Sequence, residues 1–175
     1  MFFDLIEKRR SKRKFKPVKI EKEKIDKLIE SALRSPSSRS FNPWHFIVID
    51  EKTILEKLSK AKPHGAAFLQ NAPLGIVVCA DCEKSDVWVE DSSIASIFIQ
   101  LAAEALDLGS CWIQIRKREH KNSISAEKYI KKILDIPEKI KVESIIAIGY
   151  PDEEKKPHSK ESLQTEKIFF NRFGQ

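Results

Sequence analysis

Residues 74–115 read LGIVVCADCEKSDVWVEDSSIASIFIQLAAEALDLGSCWIQI, and the change of pattern along them decides the fold class. Leu74–Ala80 is an apolar run rich in β-branched residues, the composition of a buried strand. Asp86 to Leu108 reads as one long helix. Its acidic start suits the helix dipole, and Gly109 is a natural stop. Ile94, Ile97, Phe98, Leu101, Ala102, Ala105 and Leu106 leave little polar surface in its second half, which predicts the core helix. Ser110–Ile115 then reads as a strand.

The same alternation extends in both directions. Phe2, Phe3, Leu5 and Ile6 form an apolar stripe on a short first helix, and Pro17 interrupts the basic run after that helix. Ile25, Leu28, Ile29, Ala32 and Leu33 repeat at helical spacing. Ser35–Pro43 is a loop by composition. His45–Asp50 reads as a strand, and Thr53 with Glu56 three residues on predicts a capping box opening a two-turn helix. Downstream, Ser125 caps a short helix presenting Tyr129, Ile130, Ile133 and Leu134, and Ser144–Gly149 is the last strand. Strands separated by helices give α+β or α/β. The tail is charged and ends in Ile168-Phe169-Phe170 and Phe173. Apolar side chains at both ends need a surface to cover, either on their own domain or on a partner subunit.

Bulk properties narrow the classes. A chain of 175 residues, 41% hydrophobic and 33% charged, fits one globular domain over residues 1–175. No apolar run spans a membrane, and the N-terminus lacks a signal peptide's order, so a cytoplasmic protein is expected. Three cysteines argue against a disulfide framework. Cys79 and Cys82 form a C-x-x-C, but Cys79 falls in an apolar strand and no second pair completes a zinc site, so a core cysteine is the expected reading. Cys111 reads as buried filler. The four histidines show no helical metal spacing, and no metal is expected. Trp88 and Trp112 read as core residues and Trp44 as a packing residue beside a polar loop. With only 5 glycines and no nucleotide-binding glycine motif, any bound phosphate must be held by side chains.

Positive charge is concentrated near the N-terminus. Residues 8 to 19 hold eight basic side chains and no acid in a chain of net charge +6, so the remainder carries −2. Within this run, Arg9, Arg10 and Arg13 offer planar donor forks suited to phosphate oxygens, and Ser11 adds a neutral donor. A solvated basic surface and an arm touching nucleic acid are the other readings.

Four segments, in order from Lys8 to about Leu163, resemble the nitroreductase family of flavoproteins: Arg-Arg-Ser-x-Arg-x-Phe, Ser-Pro-Ser-Ser and then Pro-Trp-His-Phe-Ile-Val, the long helix ending Leu-Gly-Ser-Cys-Trp-Ile, and Ile-Gly-Tyr-Pro-x-Glu-Glu-x-Lys-Pro. The resemblance implies an α+β fold with a mixed or antiparallel central sheet flanked by helices. It also implies an intertwined homodimer with swapped terminal segments, and one FMN per site built from both chains. The implied activity is ping-pong reduction of nitro compounds, quinones or similar small electron acceptors by NADH or NADPH, with no nucleic acid, membrane or metal partner. Arg9, Arg10 and Ser11 then resemble phosphate and ribityl contacts. Arg13 resembles the catalytic cation near flavin N1 and O2, which stabilises charge on the reduced ring. Pro36, Ser37, Ser38, Arg39 and Ser40 resemble the segment at the pyrimidine edge, partly from the partner. His158 and Lys160 resemble basic residues closing on the phosphate. The chain departs from the family pattern in three places. Ser40 and Asn42, with Phe41 between, stand where Asn-x-Gln is frequent. Gln114-Ile115 replaces Gly-Gly beside N5, where a backbone N–H of either residue would serve; the added bulk makes a flavin-binding protein of the same fold without turnover the alternative reading. His158 replaces an arginine.

Overall fold

The computed structural model describes residues 2–174. Among them, four strands form a single antiparallel sheet in the order β1-β2-β4-β3: β1 (Trp44–Ile49), β2 (Leu74–Asp81), β3 (Gly109–Gln114) and β4 (Ile140–Gly149). Five α-helices flank it: α1 (Phe2–Lys8), α2 (Lys22–Leu33), α3 (Lys52–Leu58), α4 (Trp88–Ala105) and α5 (Ala126–Leu134). The fold is therefore α+β, with every strand pair antiparallel.

Successive side chains of a strand point to opposite faces, so the two buried central strands feed two cores. On one face Leu74, Ile76, Val78, Ile146 and Ile148 meet Leu28 and Ala32 of α2 and Ile99 and Ala103 of α4. On the other, Val77, Cys79, Ile113, Ile145 and Ala147 meet Leu55 and Leu58 of α3 and Ile130 of α5. A bulge between Val78 and Cys79 leaves Glu143 as an extra residue in β4.

The core face of α4 differs from the sequence expectation. Its buried residues are Asp91, Ser92, Ala95, Ser96, Ile99, Gln100 and Ala103. Ile94, Ile97 and Phe98 are 36–38% exposed, and Ala105 is exposed too. Small side chains let the helix approach the sheet closely enough for the Ser96 and Ser144 hydroxyls to meet at 3.2 Å. Ile99 reaches the core, while Ile94, Ile97 and Phe98 are left on the outside.

Local signals were partly overruled by geometry. Ser125 caps α5 as expected, accepting the Lys128 N–H. The expected capping box at Thr53 does not form: Glu51 is the N-cap residue of α3, and the Thr53 hydroxyl donates to its carboxylate. The long helix starts at Trp88 and ends at Ala105, not Asp86 and Leu108, and Asp107 takes the left-handed conformation (φ 58°) after it. Gly109 opens β3 and is required for close approach instead, since a Cβ there would lie 2.9 Å from the Lys12 side chain. β4 begins at Ile140, four residues before the expected start. Trp44, Trp88 and Trp112 are half-buried, and Trp112 and Trp88 flank a polar cluster around Gln114 and Arg116.

Gly149, at the end of β4, packs against two rigid rings. A Cβ there would lie 2.6 Å from Pro73 Cδ and 3.0 Å from Phe15 Cδ1. Gly149→Ala is expected to cost about 1–3 kcal/mol of stability by overpacking, read from urea unfolding of variant and parent.

Candidate functional site

The basic segment leaves α1 and runs alongside β3. Ser11 forms a parallel bridge with Ser110, and the Lys12 N–H donates to the Ser110 carbonyl at 2.9 Å. Further on, the Lys16 N–H donates to Tyr150 and the Asp152 N–H to Lys14. Residues 153–156 lock the segment from outside. Glu153 Oε1 accepts the N–H groups of Arg13 (2.5 Å) and Lys14 (3.2 Å) and pairs with Lys155 at 3.2 Å. Lys155 Nζ donates to the Ser11 carbonyl at 2.6 Å, and Arg10 donates to that of Lys156. Burial would raise the Glu153 carboxyl, but the two N–H groups and the Lys155 ammonium outweigh it and hold it below the ordinary range.

This stitching fixes the backbone and leaves side chains available. Arg13 is exposed, its guanidinium 5.9 Å from the Phe68 ring, with no salt bridge among the described residues. The buried Cys111 thiol is pushed up chiefly by burial, opposed by the charge of Arg13, the Ser11 hydroxyl and the charge of Lys155. Lys62 lies within electrostatic reach of the same thiol. Its ammonium is pushed down first by burial and then by the neighbouring Arg118. Neither Lys62 nor Arg118 was expected from the sequence. Each sits in a lysine- and arginine-rich stretch with nothing to set it apart.

Strand geometry also selects one backbone donor. Because the Ser110 carbonyl points out to Lys12, alternation turns the backbone groups of Trp112 and Gln114 to the same open edge. Ile115 points the other way: its N–H donates to the Glu143 carbonyl at 3.1 Å, and its side chain is fully buried in the core. Of the two candidate donors, only Gln114 faces outward.

The serine-rich loop lies elsewhere in the chain. Ser38–Ser40 form one 3-10 turn, with Arg39, Ser40 and Asn42 at φ 51°, 54° and 47°. The Ser37 hydroxyl bonds Asn42. The Ser38 N–H donates at 2.7 Å to Asp91, a buried carboxylate that also accepts the Ser85 hydroxyl. Arg39 reaches Asp86 at 3.2 Å, with its guanidinium 5.1 Å from the Phe41 ring. Pro36–Ser40 thus gather at the N-terminal end of α4, by the edge strand β1. Arg9 and Lys12 lie at its other end, where their charges act on Glu104, beside the opposite edge strand. About 14 Å separates the two edges, and about 20 Å of helix separates Asp91 from Glu104. One chain therefore does not bring Pro36, Ser37, Ser38, Arg39 and Ser40 to Arg9, Arg10, Ser11 and Arg13.

The remaining candidates are less engaged. His158 and Lys160 are exposed, as is every described residue from Lys156 onward. Lys156 is nonetheless tied to Arg10, so this tail leaves from beside the basic segment. Cys79, Cys82 and Cys111 are free. Burial, with Glu127 adding to it, pushes the Cys79 thiol up to about 12, a poor redox group. No helix of the described residues is long and apolar enough to cross a membrane.

A family model described as "Nitroreductase family" matches residues 6–64 and 60–150. The structure resembles that of an FMN-dependent nitroreductase from Clostridium difficile R20291, with a TM-score of 0.96, 51% identity and coverage of 98% of this chain and 99% of the other. Among curated proteins, one of Archaeoglobus fulgidus, provisionally named NADH dehydrogenase/NAD(P)H nitroreductase, is 40% identical over 86% of both chains. Another so named, from Methanothermobacter thermautotrophicus, is 34% identical over 97% of this chain and 86% of its own.

The Glu153 clasp gives a pH signature. Because its folded pKa lies below its ordinary value, its contribution is complete above about pH 4.5 and fades as pH falls through the folded pKa. Glu153→Gln is expected to unfold more readily than the parent at pH 7. The difference should shrink below about pH 4.5, as followed by urea unfolding across pH.

Proposed function

Because this chain belongs to the nitroreductase family, we propose that it is an FMN-dependent NAD(P)H oxidoreductase working as a homodimer with two shared sites. The observation that carries the dimer is the separation of the two candidate half-sites along α4. The exposed Ile94, Ile97 and Phe98 lie near the middle of that helix. A two-fold axis through this patch pairs two α4 helices antiparallel. The Pro36–Ser40 corner of one chain then faces the Arg9–Arg13 corner of the other, twice over. The exposed Phe2, Phe3, Phe170 and Phe173 at the chain ends supply further apolar surface for a partner to cover.

The residues fit the cofactor chemically. Arg9, Arg10 and Ser11 supply donors for a phosphate. His158 and Lys160, on the segment leaving Arg10, are free to close over it. Arg13, unpaired and held at its backbone by Glu153, puts a fixed cation at the pyrimidine edge, with Lys62 close by. Gln114 offers its N–H from the open edge of β3 to N5. Ile115 serves as the packing beneath. Pro36, Ser37, Ser38, Arg39 and Ser40 approach the ring from the partner. Bound FMN supplies two-electron transfer from NADH or NADPH to a quinone, a nitroaromatic compound or a similar acceptor, in alternating half-reactions. Since the Ile115 side chain lies in the core, only Gln114 alters the space that glycines would leave open, which favours an active enzyme over a flavin carrier.

The test begins with the visible spectrum of the purified protein, expected to show flavin absorbance released as FMN on denaturation, and continues with steady-state oxidation of NADH and NADPH by a quinone. A colourless protein that binds no added FMN refutes the reading. Arg13→Ala is expected to weaken FMN binding or slow flavin reduction by about tenfold or more; both unchanged would remove Arg13 from the site. Phe98→Glu is expected to shift the sedimentation velocity mass from dimer toward monomer and to lower FMN affinity with it.

A further inference from the structure

Glu143 is a deeply buried carboxyl in β4, on the paired side of β3, and it belongs to neither the proposed flavin contacts nor the proposed dimer surface. It is 3% exposed and sits at the bulge in β4. Its backbone carbonyl accepts both the Ile115 and Arg116 N–H groups at 3.1 Å, so the chain leaving β3 turns around it. Its side chain enters a directed relay. Trp112 Nε1 donates to Gln114 Oε1 at 2.9 Å. Gln114 Nε2 donates to Glu143 Oε1 at 3.2 Å and to the Arg116 carbonyl at 3.2 Å. Glu143 Oε2 has no hydrogen-bond partner among the described residues, with Arg116 Nε 3.9 Å away and the Arg116 guanidinium over the Trp88 ring. Burial pushes the carboxyl up, against the Gln114 bond and Arg116.

A buried carboxyl that leaves an oxygen unpaired is costly. The ladder does not require the carboxyl: the bulge leaves Glu143 out of the pairing with β2, and it is the backbone carbonyl that accepts the Ile115 and Arg116 N–H groups. What the carboxyl does is hold a single amide. With Trp112 fixing the oxygen of Gln114 and Glu143 and Arg116 fixing its nitrogen, the Gln114 side chain has one orientation. Strand pairing on either side, through Ile113 and Ile115, turns its N–H to the open edge, and the relay restrains the residue that carries that N–H.

We infer that Glu143 is a positioning residue that acts through the Gln114 side chain to aim the Gln114 backbone N–H at the flavin N5. This rests on the FMN reading of the site. A group that acts by geometry is replaceable by another acceptor of the same shape, and its effect vanishes once the residue it acts through is removed.

The test compares Glu143→Ala, Glu143→Gln, Gln114→Ala and the Glu143→Ala/Gln114→Ala double variant, each loaded with FMN labelled with 15N at N5. Three quantities are read: the N5 resonance, the FMN dissociation constant, and the stopped-flow rate of flavin reduction by whichever nicotinamide the parent accepts. Glu143→Ala is expected to move the N5 resonance away from its hydrogen-bonded position and slow reduction about tenfold, with FMN affinity within about twofold of the parent. Glu143→Gln is expected to restore both to near parent values. In the Gln114→Ala background, Glu143→Ala should add nothing further. An N5 resonance and rate unchanged in Glu143→Ala, a loss that glutamine does not rescue, or additive losses in the double variant would each overturn the proposal while leaving the FMN reading intact. If the alanine variant does not fold, Gln114→Ala breaks the same relay without touching the buried carboxyl, and a parent-like N5 resonance there overturns the proposal equally. A parent protein that binds no FMN overturns both.

Discussion

A strand at the edge of a sheet presents unpaired backbone groups that must find partners, and the outer edge of β3 is where this chain meets that requirement unevenly. The basic segment covers the first part, through Ser110. It then diverges toward β4 and the Tyr150–Asp152 connection, leaving the outward groups of Trp112 and Gln114 uncovered. The rest of the candidate site follows from this partial cover. The segment that covers the edge carries the cations, the tail that clasps it fixes their spacing, and the gap where it departs exposes one backbone donor beside them. Charge, spacing and donor thus come from one packing event.

The second organising fact is that α4 turns its small side chains inward. A helix lying close on a twisted sheet has room for few large residues, so Ser92, Ala95, Ser96 and Ala103 surround Ile99 at the contact and Ile94, Ile97 and Phe98 face outward. The helix is long enough to hold the two halves of the proposed site apart. The surface that would rejoin them through a second chain is the same surface that close packing pushes out.

The sequence made the element order legible because strands and helices here are short and strongly patterned. The two buried strands were readable from β-branched content alone, and the Ser125 cap from its position before Tyr129 and Ile130. The inner face of α4 was not, since its buried side carries the polar Asp91, Ser92, Ser96 and Gln100 while apolar residues lie on every side. The capping box at Thr53 failed because Glu51 was a competing anchor two residues earlier. Among the site residues, the arginines near the N-terminus stood out by charge density, whereas Lys62 and Arg118 become distinctive only once folding brings them together. The choice between Gln114 and Ile115 depends on which way Ser110 points, a fact of pairing that a linear sequence does not contain. Glu143 was equally silent, a single acid in an apolar strand.

The bulge at Glu143 has a consequence for how this chain can change length. Removing one residue from a central strand ordinarily flips every subsequent side chain to the wrong face. Here Val78 pairs with Ser144 and Cys79 with Val142. Loss of Glu143 would join Val142 directly to Ser144, and each would keep its partner and its face. The deletion would regularise the ladder. Glu143 is thus a residue of the buried sheet whose deletion preserves register, and what the deletion removes is the carbonyl that turns the chain after β3 and the carboxyl that holds the Gln114 amide. Insertions and deletions recorded among descendants of this chain would carry that information where substitutions alone would not.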